Sequence, residues 1–217
     1  MVIWEKSLAY YDIIGFINGI STSIQGKKLS AVLEPSPIAE NLAKIFVDLN
    51  RLLEETPPLD QPQRFGNKAY RDFYQKLQEN ALDLLKGALP EQFHPALAEI
   101  TVYFTEAFGN ATRIDYGTGH ELSFIMFLCA LYKIKALTEN DNLHTGLKIF
   151  NEYLLFVRKL QLTYRMEPAG SHGVWSLDDY QFVPFIWGSA QLAGSSLKYT
   201  QSSTTVDVIF HFSEQPH

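Results

Sequence analysis

The sequence is poor in cysteine and in basic residues. Of its 217 residues only Cys129 is a cysteine, and 18 lysines and arginines accompany 24 aspartates and glutamates. A single cysteine excludes an intrachain disulfide and a zinc site built from several thiolates, and it suits a reducing compartment. The net charge of -6 leaves no basic stripe to neutralise phosphates, so we expect no nucleic-acid partner.

Long apolar runs are also scarce. The longest, LSFIMFLCALY at residues 122–132, is followed by Lys133 and is shorter than the roughly 20 residues that cross a bilayer. It predicts a buried helix, and we expect no membrane partner. The first residues, MVIWEKSLAYYDIIGF, lack the basic start and clean apolar core of a secretory signal, so we expect a cytoplasmic protein.

Helical periodicity dominates what is present. One segment opens with Ser36 and Pro37, typical of a helix cap and first position, and the apolar residues that follow share one face: Ile38, Leu42, Ile45, Leu49 and Leu52. Similar patterns predict five further helices, at residues 7–24, 67–86, 95–108, 119–137 and 141–164. Gly87 suits the end of the 67–86 helix. Since no segment before residue 195 alternates like a strand, the sequence predicts an all-α fold around a common core.

Two connecting segments are irregular and rich in aromatic residues. Residues 55–74 combine prolines and polar groups with phenylalanines and tyrosines, and residues 164–192 combine glycines and prolines with aromatics. Long irregular loops within a compact domain usually carry function. Glycines let a backbone approach a ligand closely, and aromatic side chains build apolar walls. We therefore expect ligand contacts in these segments.

The stretch GNATRIDYGTGHE, residues 109–121, places polar chemistry at the start of an apolar helix. Gly117 and Gly119 leave the first N–H groups of that helix unobstructed, and such a terminus attracts anions. Arg113 adds a charged contact and Thr118 a hydroxyl, although the order of a Walker A loop is missing. The alternative is an ordinary helix start, with Thr118 as the cap and a local ion pair between Arg113 and Asp115. Both interpretations stay open on spacing alone.

Two shorter patterns do not indicate a catalytic site. The pair His120-Glu121 resembles the start of the zinc-protease motif H-E-x-x-H, but Phe124 stands where the second histidine is needed. Ser171 and His172 are adjacent, which is poor geometry for a nucleophile and its base. We expect them to make loop hydrogen bonds.

The stretch WSLDDYQFVPFIW, residues 175–187, carries two carboxylates and five aromatic side chains. One of Asp178 and Asp179 could cap the following helix, and the other could hold magnesium beside a phosphate. The aromatic residues could belong to the core or form an apolar peptide groove: Trp175, Tyr180, Phe182, Phe185 and Trp187.

Four stretches carry a specific resemblance: ETPPLDQPQRFG at 55–66, RFGNKAYRDFY at 64–74, GNATRIDYGTGHE at 109–121 and YRMEPAGSHGVWSLDDYQFVPFIWGS at 164–189. They are similar to the phosphotyrosyl phosphatase activator family, the activators of protein phosphatase type 2A, over roughly residues 4–192. The resemblance implies an all-helical fold with core, linker and lid parts. It also implies a cytoplasmic and nuclear protein that binds ATP with Mg²⁺ and helps the phosphatase catalytic subunit reach its active state. Family members are in addition peptidyl-prolyl cis-trans isomerases, which act on proline-containing segments.

By position, the resemblance also implies roles for individual residues. Nucleotide contacts correspond to Arg113, Thr118 and Gly119, and the magnesium side corresponds to Gly173 and Asp179. The candidates for an isomerase groove are Trp175, Asp179, Tyr180 and Phe182. Such a groove needs no nucleophile, because the rotation barrier of about 18–20 kcal/mol falls when an apolar site binds the twisted amide better than the planar one.

The resemblance ends near residue 192. We expect an incomplete helical activator domain at residues 1–192 and a divergent Ser/Thr-rich tail at residues 193–217, without the C-terminal third with which the family continues. This leaves a second hypothesis for the function, a truncated, non-catalytic module that docks the phosphatase without activating it.

Overall fold

The computed structural model describes residues 3–60, 66–169 and 179–193, and these ranges are mostly helical. Their α-helices are α1 Leu8–Ser23, α2 Pro37–Glu54, α3 Ala69–Ala88, α4 Leu97–Glu106, α5 Thr118–Lys133, α6 Asn142–His144, α7 Phe150–Tyr164 and α8 Val183–Leu192. Short 3₁₀ turns cover Trp4–Lys6, Glu91–Ala96 and Glu139–Asp141, and a π-helical segment, Thr145–Ile149, joins α6 to α7. The predicted all-α class is confirmed.

Two very short strands interrupt the helices. The first, β1 Asp115–Tyr116, pairs in parallel with β2 Glu167–Pro168, so that Asp115 lies opposite Glu167 and Tyr116 opposite Pro168. Because β1 precedes α5 and β2 follows α7, this pairing brings the N-terminus of α5 beside the chain that leaves α7. The ladder is too short to produce the alternation that marks a strand in a sequence.

The helices pack in sequence around one core. Neighbours in the chain pack together from α2 to α5, α7 packs on α2, and α1 packs against both α5 and α8. At the centre the ring of Phe124 in α5 stacks on Tyr153 in α7, with centroids 3.7 Å apart. Both side chains are fully buried, and burial of a side chain of this kind stabilises by roughly 1.5–3 kcal/mol. Within the described ranges, no helix is both long and apolar enough to cross a membrane.

Local sequence signals predict some helix ends correctly and others wrongly. Ser36 caps α2 as expected, because its Oγ accepts the N–H of Ala39 at 3.2 Å while Pro37 begins the helix. The prediction that Gly87 ends a helix is wrong, since α3 continues to Ala88. Leu89 is extended (φ -115°, ψ 136°), as a residue before a proline prefers, so Pro90 ends this helix.

The predicted irregular segment 164–192 is helical at its end. Residues Val183–Leu192 form α8, with Pro184 in the first turn, where a missing N–H costs nothing. Trp187 is fully buried, and its Nε1 donates to the carbonyl of Ile17 at 3.1 Å. The side chain of Gln191 donates to the carbonyl of Lys27 at 3.0 Å. The inner face of α8 therefore includes polar groups that bond to other segments, which weakens its apolar periodicity.

Candidate functional site

The N-terminus of α5 is the centre of the candidate site. Its cap residue is Gly117, which is extended and makes no side-chain cap, so the alternative with Thr118 as the cap is wrong. The N–H groups of His120 and Glu121 donate to the Gly117 carbonyl at 2.9 and 3.3 Å. In the described ranges, the N–H groups of Thr118 and Gly119 have no acceptor. They are donors of the kind that binds anions at helix ends.

The two glycines at this terminus have different surroundings. A Cβ added to Gly117 would lie 2.8 Å from the Cβ of Ala169, just after β2, so the backbone is closely packed there. A Cβ added to Gly119 would meet no heavy atom of the described residues within 4 Å, and Gly119 is exposed. The terminus is therefore fixed on the β2 side and open on the side of Gly119.

The loop before the helix is held by several hydrogen bonds. The Oδ1 of Asn110 accepts the N–H groups of Thr112 and Arg113, each at 3.0 Å. From α3, the guanidinium of Arg71 donates to the carbonyls of Ala111 and Thr112 at 3.1 and 3.2 Å. An Asn that bonds to backbone two and three residues ahead is a recognised turn signal. Nothing in the sequence indicates the contact from Arg71, which is 40 residues away.

Arg113 lies on this loop and forms the predicted local ion pair. Its Nε donates to the Oδ2 of Asp115 at 2.6 Å, and this hydrogen bond raises the pKa of the guanidinium. The side chain of Arg113 is 59% exposed, whereas that of Asp115 is only 12% exposed. Pairs at the surface contribute about 0–1 kcal/mol, so the bond matters more for orientation than for stability. The outer edge of the guanidinium remains a suitable donor for a phosphate.

Glu121 lies in the first turn of α5 and is only 2% exposed. Its Oε2 accepts the N–H groups of Phe182 and Val183 at 2.7 and 3.1 Å, so this carboxylate caps α8. Burial raises the pKa of Glu121 to about 7, although the two backbone hydrogen bonds act in the opposite direction. Sequence reasoning missed this role, because the capped residues are 61 and 62 positions further along the chain.

The segment before α8 contains three of the groove candidates. Asp179 is exposed, and Phe182 is 54% exposed. The hydroxyl of Tyr180 donates to the carbonyl of Met166 at 2.7 Å, which ties this segment to the residue before β2. Gly173 and Trp175 lie outside the described residues, as do Ser171, His172 and Asp178.

The described residues fit a bound anion better than a metal centre of their own. Among them, no group of three or more His, Cys, Asp and Glu side chains could hold a metal ion. Magnesium, however, takes as few as one or two carboxylates when phosphate oxygens complete its shell. Asp179 precedes Phe182 by three residues, so the Cα atoms of the two residues are at most about 11 Å apart, and the N–H of Phe182 is bonded to Glu121 in the first turn of α5. The donors at Arg113, Thr118 and Gly119 suit a phosphate, and Asp179 suits one ligand of a magnesium ion bound with that phosphate.

A buried tyrosine pair, Tyr116 and Tyr153, packs at the start of α5. The hydroxyl groups of Tyr116 and Tyr153 are 2.5 Å apart, and that of Tyr153 also donates to the Ala107 carbonyl at 2.8 Å. Burial raises the pKa of both tyrosines well above the ordinary value, so both remain neutral. The Nδ1 of His120 pairs with the carbonyl of Glu106 at 2.6 Å. These contacts fix the start of α5 against α4 and α7.

The fold and the site together define an all-helical protein in which the N-terminus of α5 has no side-chain cap. The family model described as "Phosphotyrosyl phosphate activator (PTPA) protein" matches residues 1–215, and the match thus includes most of the segment 193–217. The chain therefore belongs to the PTPA family, as the sequence resemblance implied.

Individual relatives agree with this assignment. The chain is 56% identical over 196 residues to the serine/threonine-protein phosphatase 2A activator of Drosophila melanogaster, covering 90% of this chain and 49% of that protein. It is 43% identical over 204 residues to a probable serine/threonine-protein phosphatase 2A activator 1 of Dictyostelium discoideum, covering 94% and 63%. A crystal structure titled as the PP2A phosphatase activator Ypa1 PTPA1 superposes with a TM-score of 0.73 at 34% identity, covering 85% and 57%. The chain thus spans between about half and two thirds of these relatives' lengths.

Proposed function

We propose that this protein activates protein phosphatase 2A and binds Mg-ATP at the N-terminus of α5. Family membership and the names of the relatives support the phosphatase as the partner. The observation that carries the nucleotide site is the open terminus at Thr118 and Gly119, with Arg113 beside it on a braced loop. An anion there is stabilised by the helix dipole and by unpaired N–H groups.

Each residue has a distinct role in this proposal. The N–H groups of Thr118 and Gly119 donate to phosphate oxygens, and the outer guanidinium edge of Arg113 adds charge while Asp115 fixes its orientation. Asp179, together with the backbone of Gly173, holds magnesium beside the phosphates. When bound, magnesium would neutralise phosphate charge at the start of α5. In this proposal the nucleotide-bound protein helps the phosphatase catalytic subunit reach its active state, in the cytoplasm and the nucleus.

The proposed isomerase activity uses the neighbouring aromatic segment. A groove lowers the barrier to X–Pro rotation by binding the twisted, less polar amide and by removing water from it. The half-exposed ring of Phe182 is suited to that wall, with Trp175, Asp179 and Tyr180 as the other candidates. Because the hydroxyl of Tyr180 already donates to Met166, its ring is the part that contacts a proline-containing segment.

A thermal melt with and without Mg-ATP tests the nucleotide site. A ligand that binds only the folded state, at 100 times its dissociation constant, adds about 2.7 kcal/mol of stability. For a chain of this length that corresponds to roughly 5–10 °C in Tm. We expect this increase in the wild type and its loss in Arg113→Ala.

Arg51→Ala is the matched control, because Arg51 is also an exposed arginine in a short-range ion pair, with Asp48 at 2.9 Å. The control variant should keep the full increase. If the Tm of the wild type does not change with Mg-ATP but the protein still binds the phosphatase, the result would contradict the nucleotide site. It would support the second hypothesis, a module that docks the phosphatase without activating it. Two assays of Phe182→Ala, phosphatase reactivation and isomerisation of a proline peptide, then separate the proposed activator activity from the proposed isomerase activity.

A further inference from the structure

Within the described residues, the side chain that caps the start of α8 is Glu121, which belongs to α5. The cap residue of α8, Phe182, has no polar side chain, and Pro184 in the first turn has no N–H group. The N–H of Phe185 donates to the carbonyl of Phe182 at 3.0 Å. The N–H groups of Phe182 and Val183 both donate to the Oε2 of Glu121.

Glu121 belongs to the same helical turn as the proposed phosphate donors. It lies two residues after Gly119 and three after Thr118, on the buried side of α5, whereas Gly119 is exposed. One turn therefore carries the anion-binding N–H groups on its open side and the α8 cap on its buried side. The capped segment is the one that carries Asp179, the proposed magnesium ligand.

We propose that Glu121 is a positioning residue: it joins the start of α8 to the first turn of α5 and so sets Asp179 relative to the phosphate donors. This inference rests on the proposed nucleotide site. The carboxylate of Glu121 would then connect the phosphate donors of the site to the segment that carries Asp179. The hydrogen bond from the Tyr180 hydroxyl to the Met166 carbonyl holds the same segment at a second point. Removing a group that hydrogen-bonds to a metal ligand commonly changes metal affinity by 10–100-fold, and Glu121, which holds the chain three residues from Asp179, should act at the lower end of this range.

The test compares nucleotide binding with and without magnesium. In Glu121→Ala, we expect the dissociation constant of Mg-ATP to rise about 10-fold, because Asp179 is no longer held in place. The dissociation constant of ATP in EDTA should stay within about 2-fold of the wild type, since the donors at Arg113, Thr118 and Gly119 are intact. Glu121→Gln keeps an oxygen acceptor for the two N–H groups and should restore Mg-ATP binding to within about 3-fold.

Asp141 provides a matched control for a general loss of stability. It is also 2% exposed and accepts two backbone N–H groups, those of Ser36 and Thr138 at 3.1 and 3.0 Å, without a bond to the described residues of the proposed site. Asp141→Ala should leave both dissociation constants unchanged. If Glu121→Ala does not fold, Glu121→Asp, which is one methylene shorter, serves as the test variant.

Hydrogen exchange gives a readout that does not depend on nucleotide. Protection of the Phe182 and Val183 amides should fall at least about 10-fold in Glu121→Ala and remain in Asp141→Ala. If Glu121→Ala weakens the binding of ATP equally with and without magnesium, or leaves the protection of these amides unchanged, the positioning role is wrong. A wild type that binds no Mg-ATP overturns the proposed nucleotide site, and the exchange measurement still decides whether Glu121 holds the segment.

Discussion

Replacing Glu121 by Gln should change how the stability of the protein depends on pH. Burial raises the pKa of Glu121 from an ordinary value of 4.5 to about 7 in the folded protein. Because the folded-state pKa is the higher one, the folded protein favours the protonated form. The stabilising contribution is fully present below pH 4.5 and is lost as the pH rises through 7. At about 1.4 kcal/mol per pKa unit, the total effect is about 3 kcal/mol.

Urea unfolding followed by the fluorescence of the three tryptophans, which include buried Trp187, measures this effect. Between pH 5 and 8, we expect the free energy of unfolding of the wild type, relative to Glu121→Gln, to fall by about 2–3 kcal/mol. The ionisable groups coupled to Glu121 are Tyr116 and Tyr153, and both stay neutral over this range because burial raises their pKa. Burial lowers the pKa of His144, but this effect is common to both proteins and cancels in the difference.

The outcome that contradicts the reasoning is equally specific. If the difference in unfolding free energy between wild type and Glu121→Gln stays constant within about 0.5 kcal/mol from pH 5 to 8, Glu121 ionises in the folded protein as it does in water. The raised pKa would then be wrong, because solvent or the two backbone hydrogen bonds would fully offset the cost of burying the carboxylate.

Two further predictions concern packing. Phe124→Ala removes the fully buried ring that stacks on Tyr153, so it should lower the free energy of unfolding in urea by about 3–5 kcal/mol. Its control, Leu162→Ala, affects a side chain that is 68% exposed and should change this free energy by less than about 0.5 kcal/mol. Gly109 has φ +120° and an added Cβ would lie 2.7 Å from the Tyr70 hydroxyl, so Gly109→Ala should destabilise by at least about 2 kcal/mol. Its control, Gly87→Ala in the exposed last turn of α3, should stabilise by about 0.4–1 kcal/mol, because alanine restricts the unfolded chain more than glycine does; equal effects at both glycines would contradict the strain at Gly109.

Local signals in the sequence predicted much of the helical framework. Ser36 and Pro37 mark the start of α2 because a hydroxyl cap and a fixed φ act within one turn. The pair Arg113–Asp115 was also predictable, since its members are two residues apart. Gly87 was misassigned because a glycine inside a helix and a glycine that ends one look alike until the following Pro90 is considered.

The candidate site was predicted less completely than the framework. The open helix terminus follows from Gly117 and Gly119, but its surroundings do not. Arg71 reaches the loop from α3, and the strand pairing of β1 with β2 joins segments about 50 residues apart. A helix after Asp178 and Asp179 was expected, but its bounds were not predicted, because apolar side chains lie on both faces of α8: Trp187 is buried, whereas Phe185 and Ile186 are 51% and 44% exposed.

The sequence by itself determined the helical class and the starts of several helices, and it placed two glycines at the start of α5. These features depend on interactions within a turn or two, which the order of residues specifies directly. In the sequence, Glu121 belongs to an incomplete H-E-x-x-H motif. Only the tertiary structure decided that it is buried and caps a helix through the N–H of a residue 61 positions away. A buried carboxylate is costly unless it is paired, and its partners can be identified only when the helices that bury it are in place.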